Sequence, residues 1–96
     1  MIKVVAKNYI KEEKKEEFLE LCKILIEETN SKDAGCIEYN LFKDSKEEGV
    51  FTFIEAWEGY EALDQHMKAK HFLELVPRLG EMAAKPGETN IYEEIN

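Results

Sequence analysis

The sequence predicts an α+β fold, an antiparallel sheet with helices on one of its faces. Three observations predict it. Apolar residues recur at every second position in some segments and with helical spacing in others. The two patterns alternate in the order βαββαβ. A chain of 96 residues is too short to divide into independent cores, so residues 1–96 form a single domain.

The first strand is Ile2 to Tyr9, with Ile2, Val4 and Ala6 on one face and Val5 and Tyr9 on the other. From Glu12 to about Asn30 the period becomes helical: Phe18, Leu21, Cys22, Leu25 and Ile26 form an apolar stripe opposite Glu16, Glu20, Lys23 and Glu27. DAG at 33–35 signals a turn. Cys36 to Lys43 alternates, setting Ile37, Tyr39 and Leu41 against Glu38, Asn40 and Phe42. DSKEEG at 44–49 is a polar hairpin loop ending in glycine.

Val50 to Trp57 is the strongest strand, with Phe51, Phe53, Glu55 and Trp57 on one face and Val50, Thr52, Ile54 and Ala56 on the other. Both faces are largely apolar, which predicts that both are covered. A second helical region spans about 60–83, interrupted near Lys68–Lys70 and again at Pro77. KPGE at 85–88 ends it, and Thr89 to Ile95 supplies the last strand. Two right-handed crossovers fold this order into a ferredoxin-like sheet. The sheet face without helices then needs a partner, and a face-to-face homodimer is the economical solution.

Acids outnumber bases 21 to 13, for a formal charge of −8. Nucleic acid and anionic membrane surfaces are disfavoured as partners, because both are bound through Lys and Arg. No apolar run approaches the ~20 residues that span a bilayer. The opening MIKVVAKNYIKEE is too short and too soon charged for a signal peptide, so the expected compartment is the cytoplasm. Cys22 and Cys36 form no metal-spaced pair, and Cys22 falls on the apolar helix stripe as a buried thiol.

The stretch FIEAWEGYEALDQHMKAKHF at 53–72 holds both histidines, the one tryptophan and a carboxylate inside an apolar run. Ala62, Leu63, His66 and Met67 share a helix face, so His66 should point at the sheet, either as a core histidine or as a general base. His71 follows the helix break and either caps the next helix or lines the mouth of a pocket. With the two histidines five positions apart and no third ligand in view, no metal site is expected. A buried Glu55 is costly unless paired or neutralised. It demands His66 or His71 as partner, a basic residue at the sheet edge, or a cavity. Trp57 is a core or site residue. Asn8, near the end of the first strand, is a strand-end or turn residue. No Gly-rich phosphate loop, dinucleotide fingerprint or nucleophile elbow is present.

GCIEYNLF at 35–42, FIEAW at 53–57 and EALDQHMKAKHF at 61–72 resemble the antibiotic biosynthesis monooxygenase family, in its small quinol monooxygenase-like branch. The resemblance spans nearly the whole chain. It implies a monomer that dimerises sheet to sheet into a dimeric α+β barrel, with a pocket between each sheet and its helices. It also implies a monooxygenase that uses dioxygen on a quinol-like aromatic substrate with neither metal nor flavin, because a deprotonated quinol supplies the electrons itself. On that resemblance His66 or His71 is the base and Glu55 the group that orients it. Trp57, Phe53 and Phe72 form an aromatic wall, and Asn8 donates a hydrogen bond. Arg78 is the one arginine available to an oxyanion site. Relatives of the fold leave other readings: a haem-degrading oxygenase, for which Asn8 and Trp57 are a loose match, an isomerase of a small phosphorylated metabolite, or a non-catalytic dimeric ligand-binding protein.

Overall fold

A computed structural model describes residues 1–96. The strands are β1 (Ile2–Ile10), β2 (Cys36–Lys43), β3 (Val50–Trp57) and β4 (Ala83–Glu93). The helices are α1 (Lys15–Lys32), entered through a 3-10 turn at Glu12–Lys14, α2 (Tyr60–Lys68) and α3 (Lys70–Glu81). The strands form one antiparallel sheet in the order β2-β3-β1-β4, the ferredoxin-like arrangement. No helix is long and apolar enough to cross a membrane.

Register decides which side chains meet the helices. Val4 pairs with Glu55 and Ala6 with Phe53 across β1 and β3. Tyr39 of β2 lies opposite Glu55, and Ile91 of β4 opposite Val4. These positions share one sheet face. Against it pack Phe18, Leu21, Cys22 and Leu25 of α1, Leu63 of α2, and Leu75 and Leu79 of α3. Each helix therefore covers the same face with one apolar stripe, as the sequence periods require.

Three local expectations change. Ile37 does not share a face with Tyr39, because β2 carries a bulge between Cys36 and Glu38 that leaves Ile37 as the extra residue, 53% exposed. Pro77 does not interrupt a helix: α3 runs through it. Its ring is exposed while Leu75 and Leu79 are buried, and that burial outweighs one lost backbone hydrogen bond. β4 begins at Ala83, so KPGE lies inside the strand. Proline is tolerated there because β4 is an edge strand. Pro86 and Gly87 stand opposite Asn8 where the β1–β4 register shifts. A side chain at Gly87 would run into the Lys7 carbonyl.

The other sheet face carries no helix. Val50 and Ala56 are shielded by their neighbours, Val5, Thr52 and Ile54 are half-buried, and Phe42 and Tyr92 are about half exposed. β4 is exposed along almost its whole length.

Candidate active site

A cavity of about 320 Å³ lies between the helices and the covered sheet face. Its floor includes Val4, Ala6, Phe53 and Glu55, and its roof His66, Phe72, Val76 and Leu79. Asn8 and Tyr39 add polar atoms at its sides. Eleven of its sixteen lining residues are hydrophobic, and none is lysine or arginine. Arg78, exposed on α3, is not among them.

His66 is 2% exposed and sits in an aromatic enclosure. Its ring lies 4.6 Å from that of Trp57, 5.0 Å from Phe72 and 5.2 Å from Tyr39, centroid to centroid. Nδ1 is 2.5 Å from a carboxylate oxygen of Asp33. Asp33 follows the last turn of α1, its own N–H donating to the Thr29 carbonyl. Gly35, at φ +80°, lets α2 approach this turn: a Cβ there would stand 2.6 Å from that of Ala62.

His71 also reaches Asp33, its Nε2 3.0 Å from the carboxylate. In an unbroken helix five residues would set the two imidazoles roughly 140° apart. Ala69 breaks the helix with extended backbone, φ −68° and ψ 148°, and α3 restarts at Lys70. The break brings both rings onto one carboxylate. His71 does not line the cavity; it opens onto the surface beside Lys32 and Lys70.

Asp33, His66 and His71 offer ligand atoms within 4.8 Å of one another, so a third ligand does stand near the two histidines. Their 2.5 and 3.0 Å contacts are hydrogen-bond lengths. Lys32, Lys68 and Lys70 around the trio oppose a further cation. The arrangement is a carboxylate held between two imidazoles. It fixes the Nδ1 edge of His66 and leaves Nε2 without a protein partner. Burial holds the His66 pKa below the usual histidine value, with the Asp33 bond and charge opposing it. The ring is therefore neutral at neutral pH, and a neutral imidazole with Nδ1–H on Asp33 presents a basic Nε2.

Glu55 is partnered by neither histidine. Trp57 Nε1–H donates to its Oε1 at 3.0 Å, and Glu55 is 5% exposed. Burial raises the carboxyl pKa to about 7, with the Trp57 bond opposing the rise. Trp57 is fully buried and does not line the cavity; it braces Glu55 on one side and stacks on His66 on the other. Asn8 has already given its side-chain amide to the carbonyls of Ala6 and Phe51, at 3.0 and 3.3 Å. What it offers the cavity is an acceptor oxygen, not the donor that the family resemblance implies.

Two residues escaped sequence reasoning. Asp33 was read only as part of a turn, although an acid at a helix C-terminus works against the helix dipole and so needs a reason to be there. Tyr39 was read as a strand-face residue. It is 2% exposed, its hydroxyl has no protein partner, and burial, then Glu55, raises its pKa.

Fold and site together define a ferredoxin-like α+β domain with a mostly apolar cavity, free of lysine and arginine, and one buried, carboxylate-backed histidine. The chain belongs to the antibiotic biosynthesis monooxygenase family, whose profile matches residues 1–78. It is similar to a conserved protein of Methanosarcina mazei, with 45% identity, 97% of this chain and 91% of that chain covered, and a TM-score of 0.93. A structure described as an antibiotic biosynthesis monooxygenase is 35% identical, covers both chains completely and has a TM-score of 0.93. An uncharacterized protein of Synechocystis is 41% identical over 91 residues. That match takes in 94% of this chain, which spans only 61% of that relative's length.

Proposed function

We propose that this protein is a cofactor-independent monooxygenase that oxidises a quinol or related hydroxylated aromatic with dioxygen. One observation carries the reading: a cavity without cationic side chains holds a buried imidazole whose Nε2 has no protein partner and whose Nδ1 is held by Asp33. A neutral aromatic ring matches Phe53 and Phe72, and a phenolic hydroxyl suits Nε2. Proton transfer to His66 makes the phenolate, and Asp33 steadies the imidazolium that results. The electron-rich phenolate then supplies both electrons to dioxygen, so the substrate does what a redox cofactor otherwise does. A phosphorylated metabolite would find no cation in the cavity lining, which weighs against the isomerase reading. Haem degradation gains no support, since Trp57 is sealed beneath the cavity.

The test is oxygen uptake by the purified, metal-stripped protein with a panel of hydroquinones and dihydroxynaphthalenes. Protein-dependent uptake above autoxidation is expected for at least one of them. Uptake at the autoxidation rate across the panel would leave the binding-protein reading ahead.

The bare sheet face supports a homodimer as the working unit. Val5, Ile54, Phe42 and Tyr92 lie on that face, and no helix covers them. Sedimentation at micromolar concentration should give twice the monomer mass of 11.2 kDa, and a monomer there would contradict it. The cytoplasm is the compartment we assign, which cell fractionation checks.

A further inference from the structure

Glu55 is the buried side chain that the proton abstraction above leaves without a task. It lines the cavity, 5% exposed, on the sheet floor beneath the helices that carry His66. Trp57 occupies Oε1, and Oε2 has no protein partner. No cation approaches it. The groups facing it are Trp57 on its own strand, Tyr39 and Cys36 on β2, and His66 on α2, while β1 offers the apolar Val4. A carboxyl among such neighbours is cheapest as the neutral acid, because nothing repays the desolvation of its charge. The family resemblance implies that Glu55 orients a histidine; with Trp57 against it, its free oxygen faces the cavity instead.

We propose that Glu55 is the general acid of the reaction, delivering a proton to the oxygen–oxygen group formed on the substrate, an inference that rests on the monooxygenase reading. His66 takes the phenolic proton, and the phenolate's electron pair forms a bond from a ring carbon to dioxygen, leaving a peroxide anion. Glu55 protonates that anion to the hydroperoxide and becomes a carboxylate. The ring-carbon proton then passes to Glu55 as the O–O bond breaks, giving a carbonyl on the ring. The departing hydroxide takes the proton held by His66 and leaves as water. The ring is oxidised, dioxygen is reduced, and both residues return to their starting states. A neutral acid and a neutral base placed in different environments of one cavity is the arrangement such a cycle needs.

Glu55→Gln tests the role. The amide oxygen still accepts from Trp57, but the side chain has no acid proton to give. The expected result is a kcat lower by roughly 10²–10⁴ with KM nearly unchanged, and hydrogen peroxide or superoxide released in place of product. With the wild-type carboxyl at about 7, the rate should fall as pH rises through that value, and the variant should lose this limb. A readout independent of activity accompanies it. Because its folded pKa is raised, Glu55 contributes stability that is present in acid and lost as pH climbs from the ordinary carboxylate range through about 7. The wild-type Tm should drop over that window, and the Glu55→Gln Tm should drop less. A variant that keeps wild-type turnover and coupling overturns the acid role while leaving the monooxygenase reading intact. A wild type that consumes no oxygen with any quinol overturns both.

Discussion

His66→Ala is expected to lower oxygen uptake by roughly 10²–10⁴ while the protein remains folded. The size follows from the geometry: His66 is the one imidazole lining the cavity and its Nδ1 is occupied by Asp33, so Nε2 is the atom to which the proposal assigns the phenolic proton. Truncation also opens a space between Trp57, whose tilted ring lies 4.6 Å from that of His66, and Phe72, which meets it edge-on at 5.0 Å. Added imidazole should enter that space and restore part of the rate, which a purely structural histidine would not allow. Asp33→Asn should fall between wild type and His66→Ala, because a misheld base costs on the order of 10²-fold. Its proton-transfer limb should also shift to lower pH, since Asp33 raises the His66 pKa against the effect of burial. Oxygen-electrode rates across pH check all three results. Unchanged rates in His66→Ala would remove the base from this site.

Trp57→Ala is expected to destabilise the protein by about 3–5 kcal/mol. Trp57 is fully buried, it sits edge-on to Tyr39 at 6.2 Å, and its N–H is the hydrogen bond that Glu55 receives. Loss of the indole leaves both a cavity and a buried carboxyl without its donor. At about 4–8 °C per kcal/mol for a domain of this size, the Tm should fall by at least 12 °C. Thermal unfolding followed by circular dichroism measures it. A loss below about 1 kcal/mol would mean that the region collapses around the gap and that Trp57 is not the brace between Glu55 and His66.

The fold was legible because its signals are local and periodic. The stripe from Phe18 to Ile26 and the alternation from Phe51 to Trp57 each contain enough turns or pleats to fix both the element and the face it buries. Where expectation slipped, a single residue overrode a pattern for reasons lying elsewhere in the chain. Ile37 looks like a core residue until the bulge beside it shifts the register. Pro77 looks like a stop until the burial of Leu75 and Leu79 is weighed against one missing bond. Lys85 to Glu88 look like a loop until β1 is seen to pair with them.

Site residues were visible as types, but not as partners. His66, Glu55, Phe53, Phe72 and Asn8 all line one cavity. Which group each one touches depends on contacts that no periodicity encodes. The Asp33–His66 contact spans 33 residues and depends on Gly35, which admits α2, while the helix break at Ala69 lets His71 reach the same carboxylate. Trp57 and Glu55 are two positions apart on one strand face, so their pairing was within reach of the alternation pattern.

If the proposed function holds, side chains of this cavity alone suffice to split dioxygen between substrate and water. Mass analysis of the product made under ¹⁸O₂ by metal-stripped protein tests it most directly, using the quinol that gives the fastest uptake. One labelled oxygen atom per product ring is expected, with the label largely absent when His66→Ala replaces the wild type. A product carrying only solvent oxygen, or equal labelling without protein, would contradict it.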